Sequence, residues 1–162
     1  MDNTKEKTKV LVASPEVMPF SGTGGLGEVT GSLPRAVNHM EDSEIECRVI
    51  MPLYGSVKPE WREKMTFLGY KDIPVAWRSQ YMGIFELEKD GVIYYFVDNE
   101  YYFKRSKLYG FYDDCERFSF FSRAVIESAD ITGFAPDDIF LPKRSPKSLL
   151  ANGDTATERG LK

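Results

Sequence analysis

The chain is long enough for one packed domain, because it has 162 residues of which 42% are hydrophobic and 14% aromatic. Its formal net charge of -4 and pI near 5.2 argue against nucleic acid as a partner, since proteins that bind a phosphate backbone carry a basic face. The two cysteines, Cys47 and Cys115, have neither metal-ligand spacing nor the density of a disulfide scaffold. They indicate reduced thiols in a cytoplasmic protein, and no metal site is expected.

The first nine residues are polar and charged, which predicts a flexible N-terminus over residues 1–8. The apolar run that follows is too short for a signal peptide or a membrane span, so no membrane partner is expected. Residues 9–14 form a continuous apolar strand of the type found in a parallel sheet that is covered on both faces.

A glycine-rich stretch, residues 19–29, lies between this strand and a segment with helical apolar spacing over residues 26–40. Such a loop can bind an anion, because glycines let backbone N–H groups approach closely and a helix start adds unpaired donors and a positive dipole end. The expected ligand is a phosphate or a sugar nucleotide. The alternative is a tight crossover whose glycines only relieve steric crowding.

The helix after the loop contains Gly31 and Pro34, which are both costly in a helix interior. We therefore expect an irregular start, with Ser32 as the cap and Pro34 in the first turn. A second strand over residues 47–51 follows, and a strand, a helix and a strand favour a right-handed crossover with parallel pairing. The fold class is therefore α/β.

The next segments predict a hairpin, an aromatic loop and a helix. Residues 81–87 and 92–97 flank an Asp-Gly turn, while residues 67–70 and 73–77 are short extended pieces. Residues 100–112 are rich in aromatic side chains, which either pack on the core or stack on sugars. The helix is predicted over residues 117–129, with acidic residues 113–116 at its start.

Several of these segments together resemble the N-terminal half of bacterial glycogen synthases and plant starch synthases, over about residues 9–139. The resemblance implies a Rossmann-like, mostly parallel sheet with flanking helices and an inserted β-hairpin, in a domain of residues 9–140. The segments that carry it are residues 9–16 (KVLVASPE), 23–29 (TGGLGEV), 48–54 (RVIMPLY), 95–99 (YFVDN), 108–110 (LYG) and 116–118 (ERF).

The resemblance also implies an activity. The family consists of retaining glucosyltransferases of the GT-B fold, which use no cofactor and move glucose from ADP-glucose to the non-reducing end of an α-1,4-glucan. Its C-terminal domain carries most of the nucleotide contacts and the catalytic groups. No catalytic residue is therefore expected in this chain, which should associate with a C-terminal domain and be inactive alone.

Substrate-binding positions follow from the same resemblance. Asp113 matches a carboxylate near the acceptor sugar. Two positions depart from the family pattern, because Gly22 stands where a lysine is usual and Glu28 where an aspartate is usual. The positions expected to lie along the donor are Gly22, Thr23, Gly24, Gly25, Leu26 and Glu28.

The end of the chain differs in character from the rest. Residues 141–162 are polar, without apolar periodicity beyond Leu149 and Leu150, which predicts a disordered tail. The family instead continues into a strand and a histidine-bearing motif at this point. A shifted reading frame and a natural flexible tail would both produce such a change. His39, the one histidine of the sequence, is expected at the surface.

Two other functional classes remain open at this stage. Residues 22–27 match G-x-G-x-x-G, and Asp42 or Glu44 could supply the ribose-binding acid of a dinucleotide-dependent oxidoreductase. Against this class, the first glycine comes eight positions after Ser14, whereas the dinucleotide motif begins directly at the strand end. The second class is a non-catalytic glucan-binding module that uses the aromatic loop.

Overall fold

The computed structural model describes residues 5–142. Residues 1–4 of the predicted flexible N-terminus and residues 143–162 of the predicted tail lie outside this part. The elements in chain order are β1 (Thr8–Ala13), α1 (Gly25–His39), β2 (Ile45–Pro52), α2 (Pro59–Arg62), β3 (Thr66–Val75), β4 (Arg78–Lys89), β5 (Val92–Asp98), α3 (Glu100–Phe103), α4 (Asp114–Glu127), α5 (Ala129–Thr132) and β6 (Asp138–Phe140).

The strands form one sheet in the order β3-β4-β5-β2-β1-β6. β5, β2, β1 and β6 run parallel, and β3 and β4 add two antiparallel junctions at one side. The predicted parallel pairing of the first two strands is confirmed, since Val10 lies opposite Cys47 and Val12 opposite Val49. The predicted α/β class is also confirmed, and the sheet as a whole is mixed.

The predicted hairpin is confirmed as β4 and β5. Its turn places Asp90 at φ 51° and Gly91 at φ 76°, the pair of positive values that a two-residue hairpin turn requires. The two short extended pieces are one strand, β3, which pairs with β4 and carries a bulge between Phe67 and Gly69. The polar residues Lys71 and Asp72 separate the two pieces in the sequence, but both pair with β4, so the strand continues through them.

Helices cover the parallel part of the sheet on both faces. Val10 and Val12 of β1 line the same space as Leu33 and Val37 of α1, whereas Ala13 lies on the side of α4. Consecutive strand residues point to opposite faces, so α1 and α4 form the two outer layers. The face that α4 buries carries apolar side chains at helical spacing, namely Phe120, Phe121, Ala124 and Val125.

The predicted start of α1 is wrong. The helix begins at Gly25, and Ser32 is not its cap but donates from its hydroxyl to the carbonyl of Glu28 at 2.9 Å. Gly31 lies inside the helix because the carbonyl oxygen of Met18 passes so close that a Cβ would sit 2.2 Å from it. Pro34 is also inside the helix and buried. The tertiary contact with Met18 thus decides the sequence at this position, against helix propensity.

In the part of the chain from residue 5 to residue 142, the β6 edge leaves apolar surface exposed. Ile139, Phe140 and Leu141 are 42%, 47% and 62% exposed. Two grooves flank them, one of about 440 Å3 against α4 and one of about 360 Å3 against α1. We call the three residues and both grooves the β6 surface. Within residues 5–142, no helix is long and apolar enough to cross a membrane.

We expect Gly31→Ala to destabilise the fold, although alanine is the better helix former by about 1 kcal/mol. Its Cβ would collide with the backbone carbonyl of Met18, which cannot move as a side chain can. The loss in free energy of unfolding should be about 2 kcal/mol, measured by urea denaturation. Gly25→Ala in the same helix is the matched control, because a Cβ there meets nothing within 4 Å. Equal effects of the two substitutions would contradict the steric explanation.

Candidate functional site

The candidate site lies at the carboxyl edge of the parallel strands. β1, β2 and β5 all end at this edge, so the segments that follow them, residues 14–24, 53–58 and 99–113, start on the same side of the sheet. All the predicted substrate-binding residues belong to these segments or to the first turn of α1. The topology therefore places them on the side of the sheet where α/β proteins bind ligands.

A tight reversal separates β1 from the first glycine. Val17 and Ser21 pair as an antiparallel bridge, in which the N–H of Val17 donates to the carbonyl of Ser21 at 2.8 Å and the N–H of Ser21 donates back at 3.0 Å. The N–H of Met18 donates to the carbonyl of Gly27 at 2.9 Å. This bond fastens the reversal to the first turn of α1 and so holds the glycines between two fixed points.

Phe20 anchors the reversal in the core. Its ring is buried and meets the rings of Trp61, Tyr94 and Phe96 edge-on, with centroids 5.2, 4.9 and 5.1 Å away. The hydroxyl of Ser21 lies 3.2 Å from that of Ser56 in the loop after β2. The glycine loop therefore stands on a rigid base.

The glycines of the loop fall into two groups. A Cβ at Gly22 would lie 2.9 Å from the sulfur of Met18, and one at Gly27 would lie 3.2 Å from Cγ of the same side chain. These two glycines relieve crowding. A Cβ at Gly24 or Gly25 would meet nothing within 4 Å. Crowding within the described chain therefore does not explain glycine at positions 24 and 25, which leave open space in front of the helix start.

The start of α1 presents backbone donors to this open space. Gly24 is the N-cap residue, and no side chain caps the helix. The N–H groups of a first turn have no partner within their own helix, and they carry the positive end of its dipole. Thr23, Gly24 and Gly25 are exposed, Leu26 is half-buried, and Glu28 points its carboxylate to solvent from the same turn. Gly22 has no side chain and therefore places no positive charge next to this space.

Glu16 lies directly behind the loop, and sequence reasoning missed it. Its side chain is fully buried, and its Oε1 accepts hydrogen bonds from the N–H of Thr23 at 2.5 Å and from the hydroxyl of Thr23 at 2.6 Å. The hydroxyl of Thr30, in α1, donates to the Glu16 carbonyl at 2.5 Å. The sequence feature that could have identified Glu16 is its position between a strand and a glycine-rich loop.

Asp113 lies at the N-cap position of α4, where its carboxylate is paired with Arg105. The two nitrogens of the guanidinium donate to the two carboxylate oxygens at 2.6 and 2.7 Å, and the side chains are only 8% and 16% exposed. These bonds hold the pKa of Asp113 below its ordinary value. Asp114, rather than Asp113, accepts from the N–H groups of Gly110 and Phe111.

Arg117 is the second residue that sequence reasoning missed. Its guanidinium is fully buried and donates to the carbonyls of Tyr102 and Leu108 at 2.6 and 2.9 Å and to Asp114 at 2.9 Å. It also lies over the ring of Phe111, 4.9 Å from its centroid. Arg117 therefore connects the aromatic loop to α4. The sequence feature that could have revealed this role is a charged residue among the phenylalanines of a helix.

The aromatic loop is mainly packed. Tyr102 and Phe103 are fully buried, whereas Tyr101 is 52% and Tyr112 is 96% exposed. His39 is exposed, as expected. Among residues 5–142, no three histidine, cysteine or acidic side chains come together to hold a metal ion.

The sequence that forms the glycine loop, α1 and the sheet matches a known protein family. The family model described as the starch synthase catalytic domain matches residues 9–141. The chain belongs to this family. The resemblance drawn from the short segments is thereby confirmed.

Relatives of this family support the assignment. The chain is 53% identical over 131 residues to a glycogen synthase of Fusobacterium nucleatum, which covers 81% of this chain and 28% of that protein. It is 50% identical over 131 residues to a glycogen synthase of Geobacillus thermodenitrificans, covering 81% and 26%. The chain thus spans about a quarter of the length of these starch synthase family members.

A solved structure shows the same fold. The catalytic domain of starch synthase IV from Arabidopsis thaliana, bound to ADP and acarbose, superimposes with a TM-score of 0.73 at 25% identity, over 84% of this chain and 28% of that one. The mixed sheet with helices on both faces therefore matches part of the fold of a starch synthase catalytic domain.

The geometry does not support the dinucleotide alternative. Residues 14–21 separate β1 from Gly22, so the glycine motif does not begin at the strand end. Asp42 and Glu44 both precede β2, which puts them at the amino edge of the sheet, opposite the glycine loop. A ribose-binding acid would have to lie at the carboxyl edge, close to the glycines.

We predict that Arg105→Met lowers the free energy of unfolding by about 2 kcal/mol at pH 7, because the buried carboxylate of Asp113 loses its charged partner. The pKa of Asp113 is lowered in the folded state, so this stabilisation is complete above its unfolded pKa of about 3.9 and disappears as pH falls through the folded pKa. Urea denaturation at several pH values should show the difference between the two proteins shrinking below about pH 4, to the part that comes from the hydrogen bonds of Arg105 to the Tyr101 carbonyl.

The matched control is Lys104→Met, the neighbouring residue, whose pair with Glu100 is exposed and 3.8 Å long. Its effect should stay within about 0.5 kcal/mol at every pH. A difference between Arg105→Met and the unchanged protein that persists undiminished at low pH would contradict the role given to the Asp113 charge.

Proposed function

We propose that this chain supplies the loop that receives the donor in a retaining transfer of glucose from ADP-glucose to the non-reducing end of an α-1,4-glucan. The observation that carries the proposal is the open space in front of Gly24 and Gly25 at an uncapped helix start. Exposed N–H groups at this position suit a diphosphate, and the small residues let it approach closely.

The names of the relatives support the choice of ligand. Two relatives at about half identity are glycogen synthases, and the similar Arabidopsis structure holds ADP and acarbose. Acarbose is a glucan-like oligosaccharide, so that protein binds both a nucleotide and a saccharide. We infer the same pair of substrates here, in a cytoplasmic enzyme.

The loop of this chain should bind its donor weakly by itself. Gly22 brings no positive charge to the diphosphate, and backbone donors that face bulk water are weakened by solvent and by salt. Catalysis of glucosyl transfer also needs charge stabilisation from several preorganised groups. We therefore propose that the catalytic groups come from a second polypeptide, which corresponds to the part of the related glycogen synthases that this chain does not cover.

The β6 surface is the proposed attachment point of that polypeptide. Its three exposed apolar residues and two flanking grooves suit a further parallel strand with helices on both sides. Within the described residues β6 pairs only with β1, so its other edge offers N–H and C=O groups to a partner strand. Association through this surface would complete the sheet and bring a second wall to the glycine loop.

Asp113 is proposed to act on the acceptor side, with its carboxylate oriented by Arg105. Ionised oxygens are strong acceptors for sugar hydroxyls, and the bidentate pair keeps them ionised and fixed. A glucan-binding role without catalysis is the second candidate. The exposed rings of Tyr112 and Tyr101 favour it, because aromatic faces can stack on sugar rings.

We predict that Gly24→Ala and Gly25→Ala each weaken ADP binding to the purified chain about tenfold, because a methyl group would enter the space of the diphosphate. Neither should lower the thermal midpoint, since the new Cβ would meet no atom of another segment of residues 5–142 within 4 Å. Titration calorimetry and thermal denaturation measure the two effects. Ser32→Ala, on an exposed position of the same helix, is the control. Unchanged affinity in both glycine variants would contradict the proposed site.

The function itself is tested by glucose transfer from labelled ADP-glucose to glycogen. The purified chain alone should give no transfer, and a mixture with a separately expressed polypeptide that covers the rest of a relative's length should give measurable transfer. Leu141→Asp, on the β6 surface, should reduce transfer by the mixture by lowering the affinity of association. Transfer by the chain alone would refute the need for the second polypeptide. Glycogen pull-down without transfer in the mixture would favour the binding module.

A further inference from the structure

The buried carboxylate of Glu16 controls what Thr23 can offer to a ligand. Both hydrogen-bond donors of Thr23, its backbone N–H and its hydroxyl, are directed at the same oxygen of Glu16, at 2.5 and 2.6 Å. An ionised carboxylate only accepts hydrogen bonds. Neither donor of Thr23 therefore points toward the open space in front of the loop.

This arrangement has a chemical consequence for recognition. A hydroxyl oxygen carries two lone pairs, so the Thr23 hydroxyl can accept a hydrogen bond after it has donated its own proton. A phosphate oxygen offers only lone pairs, whereas a sugar hydroxyl offers a proton. Thr23 thus matches a sugar hydroxyl, and the N–H groups of Gly24 and Gly25 are left for the phosphate.

The charge behind the loop favours the same assignment. The negative charge of Glu16 repels an anion placed at Thr23 and does not repel a neutral sugar. Burial raises the pKa of the nearby Tyr54 hydroxyl, on which Glu16 and Arg117 also act, in opposite directions. Both charges therefore lie within electrostatic range of the Tyr54 hydroxyl.

Glu16 is itself fixed on two further sides. Its carbonyl accepts from the hydroxyls of Ser14 at 2.7 Å and of Thr30 at 2.5 Å, which join the end of β1 to α1. The backbone of Glu16 is therefore held between the end of β1 and α1 before any ligand binds. Preorganisation of this kind lowers the entropic cost of recognition.

We propose that Glu16 is a positioning residue that takes both donors of Thr23, so that the loop meets the sugar of a nucleotide sugar with an acceptor and its diphosphate with backbone N–H groups. This assignment rests on the proposed function for its ligand. The Glu16–Thr23 contact itself does not depend on any ligand.

The first test needs no ligand. In the purified full chain, the amide proton of Thr23 should resonate downfield in a 1H–15N NMR spectrum and exchange slowly with solvent. Glu16→Ala should move this signal upfield and speed its exchange at least about tenfold, while the amides of Val17 and Ser21 keep their protection. Glu16→Gln, whose amide oxygen can still accept, should restore part of the protection. A Thr23 amide that does not respond to Glu16→Ala would overturn the positioning role.

The second test compares ADP with ADP-glucose by titration calorimetry. Thr23→Val removes the hydroxyl and should weaken ADP-glucose about tenfold, with ADP binding unchanged. Glu16→Ala should weaken ADP-glucose similarly, and the double variant should be no weaker than either single one, because the two residues act as one unit. Thr23→Ser, which keeps the hydroxyl, is the control.

The possible outcomes distinguish a failure of the assignment of Thr23 to the sugar from a failure of the proposed function. An equal loss for ADP and ADP-glucose in Thr23→Val would place Thr23 on the phosphate and overturn the assignment to the sugar. A wild-type chain that binds neither compound would refute the proposed function, while the NMR experiment would still decide whether Glu16 holds Thr23.

Discussion

The close contact between the reversal at residues 17–21 and the first turns of α1 is the constraint on which the site depends. The carbonyl of Met18 comes so near to the helix that only glycine fits at position 31, and its N–H bonds to the carbonyl of Gly27. Phe20 holds the other side of the reversal among three aromatic rings. Both sides of the reversal are therefore held by contacts within the fold, and the glycine loop follows directly after it.

That constraint explains why glycine occurs at different positions of one motif for two different physical reasons. A Cβ at Gly31 would collide with the backbone carbonyl of Met18, and a Cβ at Gly22 or Gly27 would crowd the Met18 side chain, as expected for a crowded crossover. Gly24 and Gly25 meet no such contact and open the space in front of the helix. The crowded-crossover interpretation of the loop therefore accounts for one set of glycines, and anion binding is what we propose for the other set.

Buried charges play a comparable role around the loop. Glu16 and Arg117 are both fully buried, and each makes hydrogen bonds to a loop: Glu16 accepts from Thr23, and Arg117 donates to the carbonyls of Tyr102 and Leu108. A buried charge is costly unless it is bonded, so each one tolerates few loop conformations. The conformations of the loops at the carboxyl edge of the sheet therefore depend on two buried ionisable side chains, those of Glu16 and Arg117.

The sequence by itself determined the α/β class, the parallel pairing of β1 with β2, the β4–β5 hairpin and the family. Those features depend on apolar periodicity, turn residues and short motifs, which are local. The tertiary structure decided the true start of α1, the pairing of Asp113 with Arg105, the place of Glu16 behind Thr23 and which glycines are open. Each of these depends on contacts between segments that the chain brings together only when it folds, and no spacing within one segment encodes them.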